Sequence, residues 1–138
     1  MHTMIAAPMS QLNSSIRLLL IEDNDISRQL MHDFLGHCGY CVRSLASGST
    51  FAQEMAQFRP HLVLLDLKLP DVDGFTLLEQ AQQASEWSEI PIIVVSAFAF
   101  QSDRQRALNL GARQYLVKPV VLPQIQQAIS DELKHRMI

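Results

Sequence analysis

The sequence predicts an α/β domain in which five strands of a parallel sheet alternate with five helices. Three observations carry that prediction. Five short apolar runs are spaced along the chain, and between them the apolar residues recur at helical spacing. Most of the runs lack polar alternation, as strands buried on both faces do. No internal repeat, low-complexity tract or linker to a second domain interrupts the series.

Arg17 to Ile21 is the first apolar run, and it stops in Glu22-Asp23-Asn24-Asp25. Ile26, Leu30, Phe34 and Leu35 then share a helical face, with Asp25 as the expected N-cap and Gly39 as the stop. Cys41 to Leu45 reads as a second strand. A second helix carries Phe51, Met55 and Phe58 inward and ends before Pro60. His61 to Leu65 is the third strand and runs straight into Asp66. After a loop with Pro70 and Gly74, a helix turns Phe75, Leu78 and Ala81 inward. Pro91 to Val95 is the fourth strand, ending at Ser96. Ser102-Asp103 is the expected cap of a helix through Leu110, closed by Gly111. Gln114 to Val117 is the fifth strand, ending at Lys118-Pro119. Pro123 suits the first turn of the last helix, where Ile125, Ile129 and Leu133 share a face.

The 138 residues are 48% hydrophobic and 18% charged, a balance that fits a globular domain and excludes a disordered chain. Residues 1–15 read as a flexible leader and 16–138 as the domain. The net charge is −3 and the basic residues are scattered from Arg17 to Arg136, so there is no stripe for direct nucleic-acid binding. The longest apolar stretch, Ile90 to Phe100, falls far short of the roughly 20 residues that span a bilayer. The leader has neither a basic start nor a long apolar core. Both points predict a cytoplasmic protein with no membrane insertion.

Cys38-Gly39-Tyr40-Cys41 has a spacing that zinc and redox sites use, but no second ligand pair exists and the pair follows a helix instead of opening one. Two reduced, structural cysteines are expected. His32 and His37 lie five apart and do not share a helix face; with His2, His61 and His135 they read as surface or packing residues.

In a sheet of this kind, functional groups gather at the carboxyl ends of the strands. Here those ends carry Glu22 and Asp23, then Asp66, then Ser96, then Lys118. Converging carboxylates repel one another, and a bound cation removes that cost. Oxygen ligands open to water suit Mg²⁺, while Lys118 offers a cation for phosphate and Ser96 a hydroxyl. Such a set suits phosphoryl transfer, with Asp66, at the end of the middle strand, as the nucleophile. Singly, each residue is ordinary: an acid after a strand is usually a cap or a solvated loop residue. The joint pattern is the specific signal.

Leu19-Leu-Ile-Glu-Asp-Asn24, Leu64-Leu-Asp66-Leu-Lys68-Leu-Pro-Asp-Val-Asp-Gly74, Val94-Val-Ser96-Ala97 and Tyr115-Leu-Val-Lys118-Pro119 together resemble the successive signatures of response-regulator receiver domains, the phosphoacceptor modules of two-component systems. The resemblance runs from about Arg17 to Arg136. It implies a doubly wound, flavodoxin-like sheet in the order 2-1-3-4-5 and a cis peptide at Lys118-Pro119. It implies that Asp66 accepts a phosphoryl group from the phosphohistidine of a histidine kinase or a histidine phosphotransfer protein. Asp23, Asp66 and the backbone carbonyl of Lys68 would hold Mg²⁺, with Glu22 acting largely through water. Ser96 would bond the phosphoryl oxygen and Lys118 would pair with it. In the implied switch, Ser96 moves to the phosphoryl group and Tyr115 turns inward, remodelling the face of the fourth helix, fifth strand and fifth helix for a downstream protein. Such a domain is no dedicated enzyme; it promotes its own Mg²⁺-dependent phosphorylation and dephosphorylation, as a monomer or a phosphorylation-dependent dimer.

Glu22 to Gln29 also resembles the start of receivers attached to hybrid sensor kinases, so a stand-alone protein and a piece of a larger one are both open. Lys68 and Phe98 depart from the most familiar pattern and are expected to tune the lifetime of the phosphorylated form. A phosphatase with an aspartyl nucleophile would carry a second Asp where Lys68 stands, and a flavin module would not place Glu22-Asp23 after its first strand.

Overall fold

The computed structural model of the protein describes residues 15–137, with side chains up to Lys134. The leader expected over 1–15 lies outside the described residues except for Ser15, and so do His2 and the side chain of His135. The chain alternates β1 (Arg17–Ile21), α1 (Asp25–His37), β2 (Cys41–Leu45), α2 (Phe51–Phe58), β3 (Leu62–Leu65), α3 (Gly74–Gln83), β4 (Ile92–Ser96), α4 (Gln101–Asn109), β5 (Gln114–Val117) and α5 (Leu122–Met137). All four strand pairings are parallel, in the order β2-β1-β3-β4-β5. The strand order expected from the resemblance is therefore the one observed.

Why the central strands read as unbroken apolar runs is visible in the layers. Leu18, Leu20, Leu62, Leu64, Ile93 and Val95 face Met31 and Leu35 of α1 and Ile125, Ile129 and Leu133 of α5. Their neighbours Leu19, Ile21, Val63, Leu65, Ile92 and Val94 face Phe51, Met55, Phe75, Leu78, Ala81 and Ala107 of α2, α3 and α4. Alternate residues thus enter two different cores, and both must be apolar. Because β1 pairs with β2 on one side and β3 on the other, the chain reverses its direction of travel there. That reversal opens a crevice at the carboxyl ends of β1 and β3.

Four local expectations need correction. The N-cap of α1 is Asn24, whose side chain accepts from Ser27 N at 2.9 Å, and Asp25 is the first helical residue. Asn24 keeps the extended backbone that a cap needs, and the chain turns helical one residue later. Ile26 and Leu30 do not point inward: they are 73% and 55% exposed. The buried stripe of α1 runs through Met31 and Leu35, so the helix is rotated about its axis relative to the expectation. Ser102-Asp103 does not cap α4, which starts at Gln101 after Phe100 with no side-chain cap bond. The third and fourth strands begin one residue later than expected, at Leu62 and Ile92: the His61 Nδ1 accepts the Arg17 backbone N–H at 2.9 Å just before β3, and Pro91, without an N–H, gives only its carbonyl to Val63 N–H at 3.0 Å. Gly39 and Gly111, the expected stops, adopt φ of 97° and 106°.

Among the described residues, no helix is long and apolar enough to cross a membrane. Cys38 caps the end of α1, and burial pushes its thiol above the ordinary range, which disfavours a reactive thiolate. His32 packs between α1 and β2, its Nδ1 2.6 Å from the Ser44 hydroxyl.

Candidate functional site

At the carboxyl ends of the strands the side chains named from the sequence come together. Ile21 and Leu65 are in register across β1 and β3, so the residues that follow them, Glu22 and Asp66, leave the sheet side by side. Two backbone bonds extend the ladders by one step: Glu22 N–H donates to Leu45 O at 3.0 Å and Asp66 N–H to Ile21 O at 2.9 Å. The carboxylates therefore sit on the rigid rim of the sheet. Glu22 is 1% exposed and Asp66 6%, whereas Asp23 opens to solvent. One carboxylate oxygen from each of Glu22, Asp23 and Asp66 falls within 4.8 Å of the others.

Lys118 answers this charge. Its ammonium Nζ donates to Glu22 Oε1 at 2.7 Å and to Asp66 Oδ2 at 3.1 Å. The remaining oxygens are also met: Asn24 N–H donates to Glu22 Oε2 at 3.0 Å and Lys68 N–H to Asp66 Oδ1 at 3.2 Å. The ammonium is carried in from β5, where Lys118 N–H bonds Ser96 O at 2.8 Å and the peptide to Pro119 is cis, as the resemblance implied.

Burial pushes the Glu22 carboxyl above its ordinary range; the Lys118 and Asn24 donors pull against that rise, and the charge of Asp66 adds to it. For Lys118, burial works against the charged form, but hydrogen bonds to Glu22 and Asp66 together hold its pKa above the ordinary value. The contact with Glu22 and Asp66 favours the charged lysine, and the same contact offsets part of the burial cost of the Glu22 carboxylate. Three acids with one ammonium leave an excess of negative charge in the crevice, and the exposed Asp23 keeps it open to water. These donors are all hard oxygens and fit Mg²⁺, which takes a few carboxylates and retains water.

Ser96 ends β4 with no exposed surface, and its Oγ accepts from Phe98 N–H at 3.1 Å. Tyr115 is buried, and its hydroxyl donates to Phe98 O at 2.8 Å. Burial also raises the Tyr115 phenol above its ordinary value. The Phe98 backbone thus links Ser96 to Tyr115, with the Tyr115 ring already on the inner side of β5. The Phe98 ring packs half-buried against the core facing α3 and α4, and the Lys68 side chain is exposed.

Two contributors were not legible in the sequence. Arg28, one turn into α1, donates from Nη1 to the Glu22 and Asp23 carbonyls at 2.9 and 3.3 Å. Asp71 Oδ1 accepts Gly48 N–H at 3.0 Å and ties the loop after Asp66 to the loop after β2; that bond holds its carboxyl below the ordinary range. Apart from the Arg28–Asp25 ion pair, the partners of both are backbone groups, which leave no trace in residue types.

Comparison with known proteins agrees with this geometry. A family model for the response regulator receiver domain matches residues 18–130. The transcriptional regulatory protein GltR of Pseudomonas aeruginosa is 36% identical over 102 residues, 74% of this chain and 42% of that protein. The polar-differentiation response regulator DivK of Brucella anthropi is 29% identical over 116 residues, 84% of this chain and 94% of DivK. The chain therefore spans less than half of the first relative and nearly all of the second. A crystal structure of a CheY-like response regulator receiver domain protein from Methanospirillum hungatei superposes with a TM-score of 0.82 at 27% identity, covering 88% of this chain and 96% of that one.

Proposed function

The chain belongs to the response regulator receiver domain family, and from that premise we propose that Asp66 takes a phosphoryl group from a phosphohistidine and thereby switches the binding of a downstream protein. The observation that carries the reading is Lys118 Nζ seated between Glu22 and Asp66, with Asp23 in the same cluster. In the step itself, an Asp66 oxygen attacks phosphorus, the phosphorus–nitrogen bond breaks, and its electron pair leaves with the imidazole. Lys118 turns from Asp66 Oδ2 towards the incoming phosphoryl oxygens, and Ser96 offers its hydroxyl to one of them. Glu22, Asp23, Asp66 and the Lys68 carbonyl are the residues that would hold Mg²⁺, which when bound neutralises charge on the phosphoryl oxygens.

The readout follows from the Ser96–Phe98–Tyr115 link. When Ser96 turns to the phosphoryl group it releases Phe98 N–H, and the start of α4 and the end of β5 respond. The face formed by α4, β5 and α5 is then the surface a partner reads. Phosphorylation acts here as a population shift, favouring the arrangement that binds the phosphoryl group better. The donor is a histidine kinase or a phosphotransfer protein, which places the reaction in the cytoplasm. Lys68 and Phe98 set the lifetime of the product; exchanging them for Asn and Glu is expected to change the hydrolysis rate.

The deciding experiment is intact mass after incubation with Mg²⁺ and acetyl phosphate. One added phosphoryl group is expected on the wild type, none without Mg²⁺ and none on Asp66→Ala. Donor turnover with no adduct would indicate a phosphatase or very fast self-dephosphorylation. An inert, folded protein would overturn the phosphoacceptor reading in favour of a binding module that works without phosphate.

A further inference from the structure

We propose that Arg28 is a positioning residue that sets the β1–α1 loop for cation binding, a role that rests on reading Glu22, Asp23 and Asp66 as the Mg²⁺ ligands. Glu22 and Asp23 lie after the last residue of β1 and before the first of α1. Neither the sheet nor the helix fixes their carbonyls, yet the direction of their carboxylates depends on how those peptides are turned. Arg28 supplies the missing constraint. Its Nη1 meets the Glu22 carbonyl at 2.9 Å and the Asp23 carbonyl at 3.3 Å, and its Nη2 is held by Asp25 Oδ1 at 2.7 Å. The side chain is mostly buried, and its own N–H bonds Asn24 O at 2.9 Å.

One planar guanidinium therefore gathers both loop carbonyls, of Glu22 and Asp23, and the Asp25 carboxylate about the first turn of α1. A lysine would keep the charge but not the fork, and could not hold two carbonyls and a carboxylate in fixed directions. Without the fork, Asp23 is the residue set free: its side chain is exposed, whereas Glu22 is still pinned by Lys118 and Asn24. The loss falls on cation affinity, because the ligands must then be ordered by the ion itself.

The test is calorimetric titration of Mg²⁺ into wild type, Arg28→Lys, Arg28→Gln and Asp23→Asn, with the Mg²⁺ dependence of acetyl phosphate labelling measured in parallel. Arg28→Lys and Arg28→Gln should each bind Mg²⁺ roughly tenfold more weakly, the usual effect of losing a group that orients metal ligands. Half-maximal labelling should need correspondingly more Mg²⁺, with the rate at saturating Mg²⁺ retained. Unchanged or tighter binding in Arg28→Lys would overturn the positioning role while leaving the ligand assignment intact. Wild type that binds no Mg²⁺, or binds it as well as Asp23→Asn does, would overturn the ligand assignment and the proposal with it. Collapse of the metal-free Arg28 variants, seen by circular dichroism, would also overturn it, since Arg28 would then hold the whole corner and not the cation site.

Discussion

Glu22 illustrates how a single residue type is read differently before and after folding. In the chain it is one of four polar residues between an apolar run and a helix; in the fold it is the most enclosed of the site's acids, 2.7 Å from Lys118. Its pKa is raised above the ordinary 4.5, chiefly by burial. The folded state therefore holds the Glu22 proton more tightly than the unfolded chain does, and its contribution to stability is complete below 4.5 and lost as pH rises through the raised value. We expect Glu22→Gln to flatten that decline, with melting followed from pH 4 to 8 in the presence of chelator. A slope identical to wild type would mean that burial of Glu22 has no thermodynamic weight. Asp66, Ser96 and Lys118 were legible as candidates because each ends its own apolar run. Arg28 was not: an i,i+3 pair with Asp25 is ordinary on a helix, and its bonds to the loop go to carbonyl oxygens that every residue carries.

At the scale of elements, the loop from Asp66 to α3 shows how Asp66 is held. Asp73 caps α3 by accepting Phe75 N–H at 2.9 Å, Gly74 N–H donates to Leu67 O at 2.9 Å, and Asp71 reaches across to Gly48. Gly74 lies against backbone: a Cβ there would meet Leu67 Cα at 2.5 Å and the carbonyl oxygens of Leu67 and Asp66 at 2.8 and 2.9 Å. Backbone gives way only at the cost of moving α3 off the loop that follows Asp66. Gly74→Ala should therefore destabilise the protein by about 3 kcal/mol, at the upper end of overpacking costs, measured by urea unfolding. A change under about 0.5 kcal/mol, normal for a surface site, would show that the loop adapts freely. Helix periodicity located α1, but not which of its faces is buried. Ile26 and Leu30 are as apolar as Met31 and Leu35, and only packing against β2 and α5 decides between them.

For the molecule as a whole, a cation that binds the folded crevice between β1 and β3, and not the unfolded chain, would link its binding to folding. A ligand present at about a hundred times its dissociation constant stabilises by roughly 2.7 kcal/mol, or roughly 9 °C in melting temperature for a chain of this size. Mg²⁺ is expected to raise the melting temperature of wild type by that order, and Asp23→Asn should lose most of the shift. No shift in wild type would count against the acidic cluster as a cation site. Sequence alone determined the alternation of strands and helices, because burial on both faces of a parallel sheet demands unbroken apolar runs and the helices demand a different period. It also determined which polar residues stand at the strand ends, since a run that stops in a charge stops at the edge of the core. Tertiary structure alone decided that Glu22, Asp66 and Lys118 touch, since contacts across 52 and 96 residues depend on strand register and crossover. It likewise decided that Tyr115 lies inside and that Arg28 gathers the acidic loop. The first depends on the core that takes the ring and on the Phe98 carbonyl, the second on how the loop turns its carbonyls towards α1, and backbone groups are the same at every position of the chain.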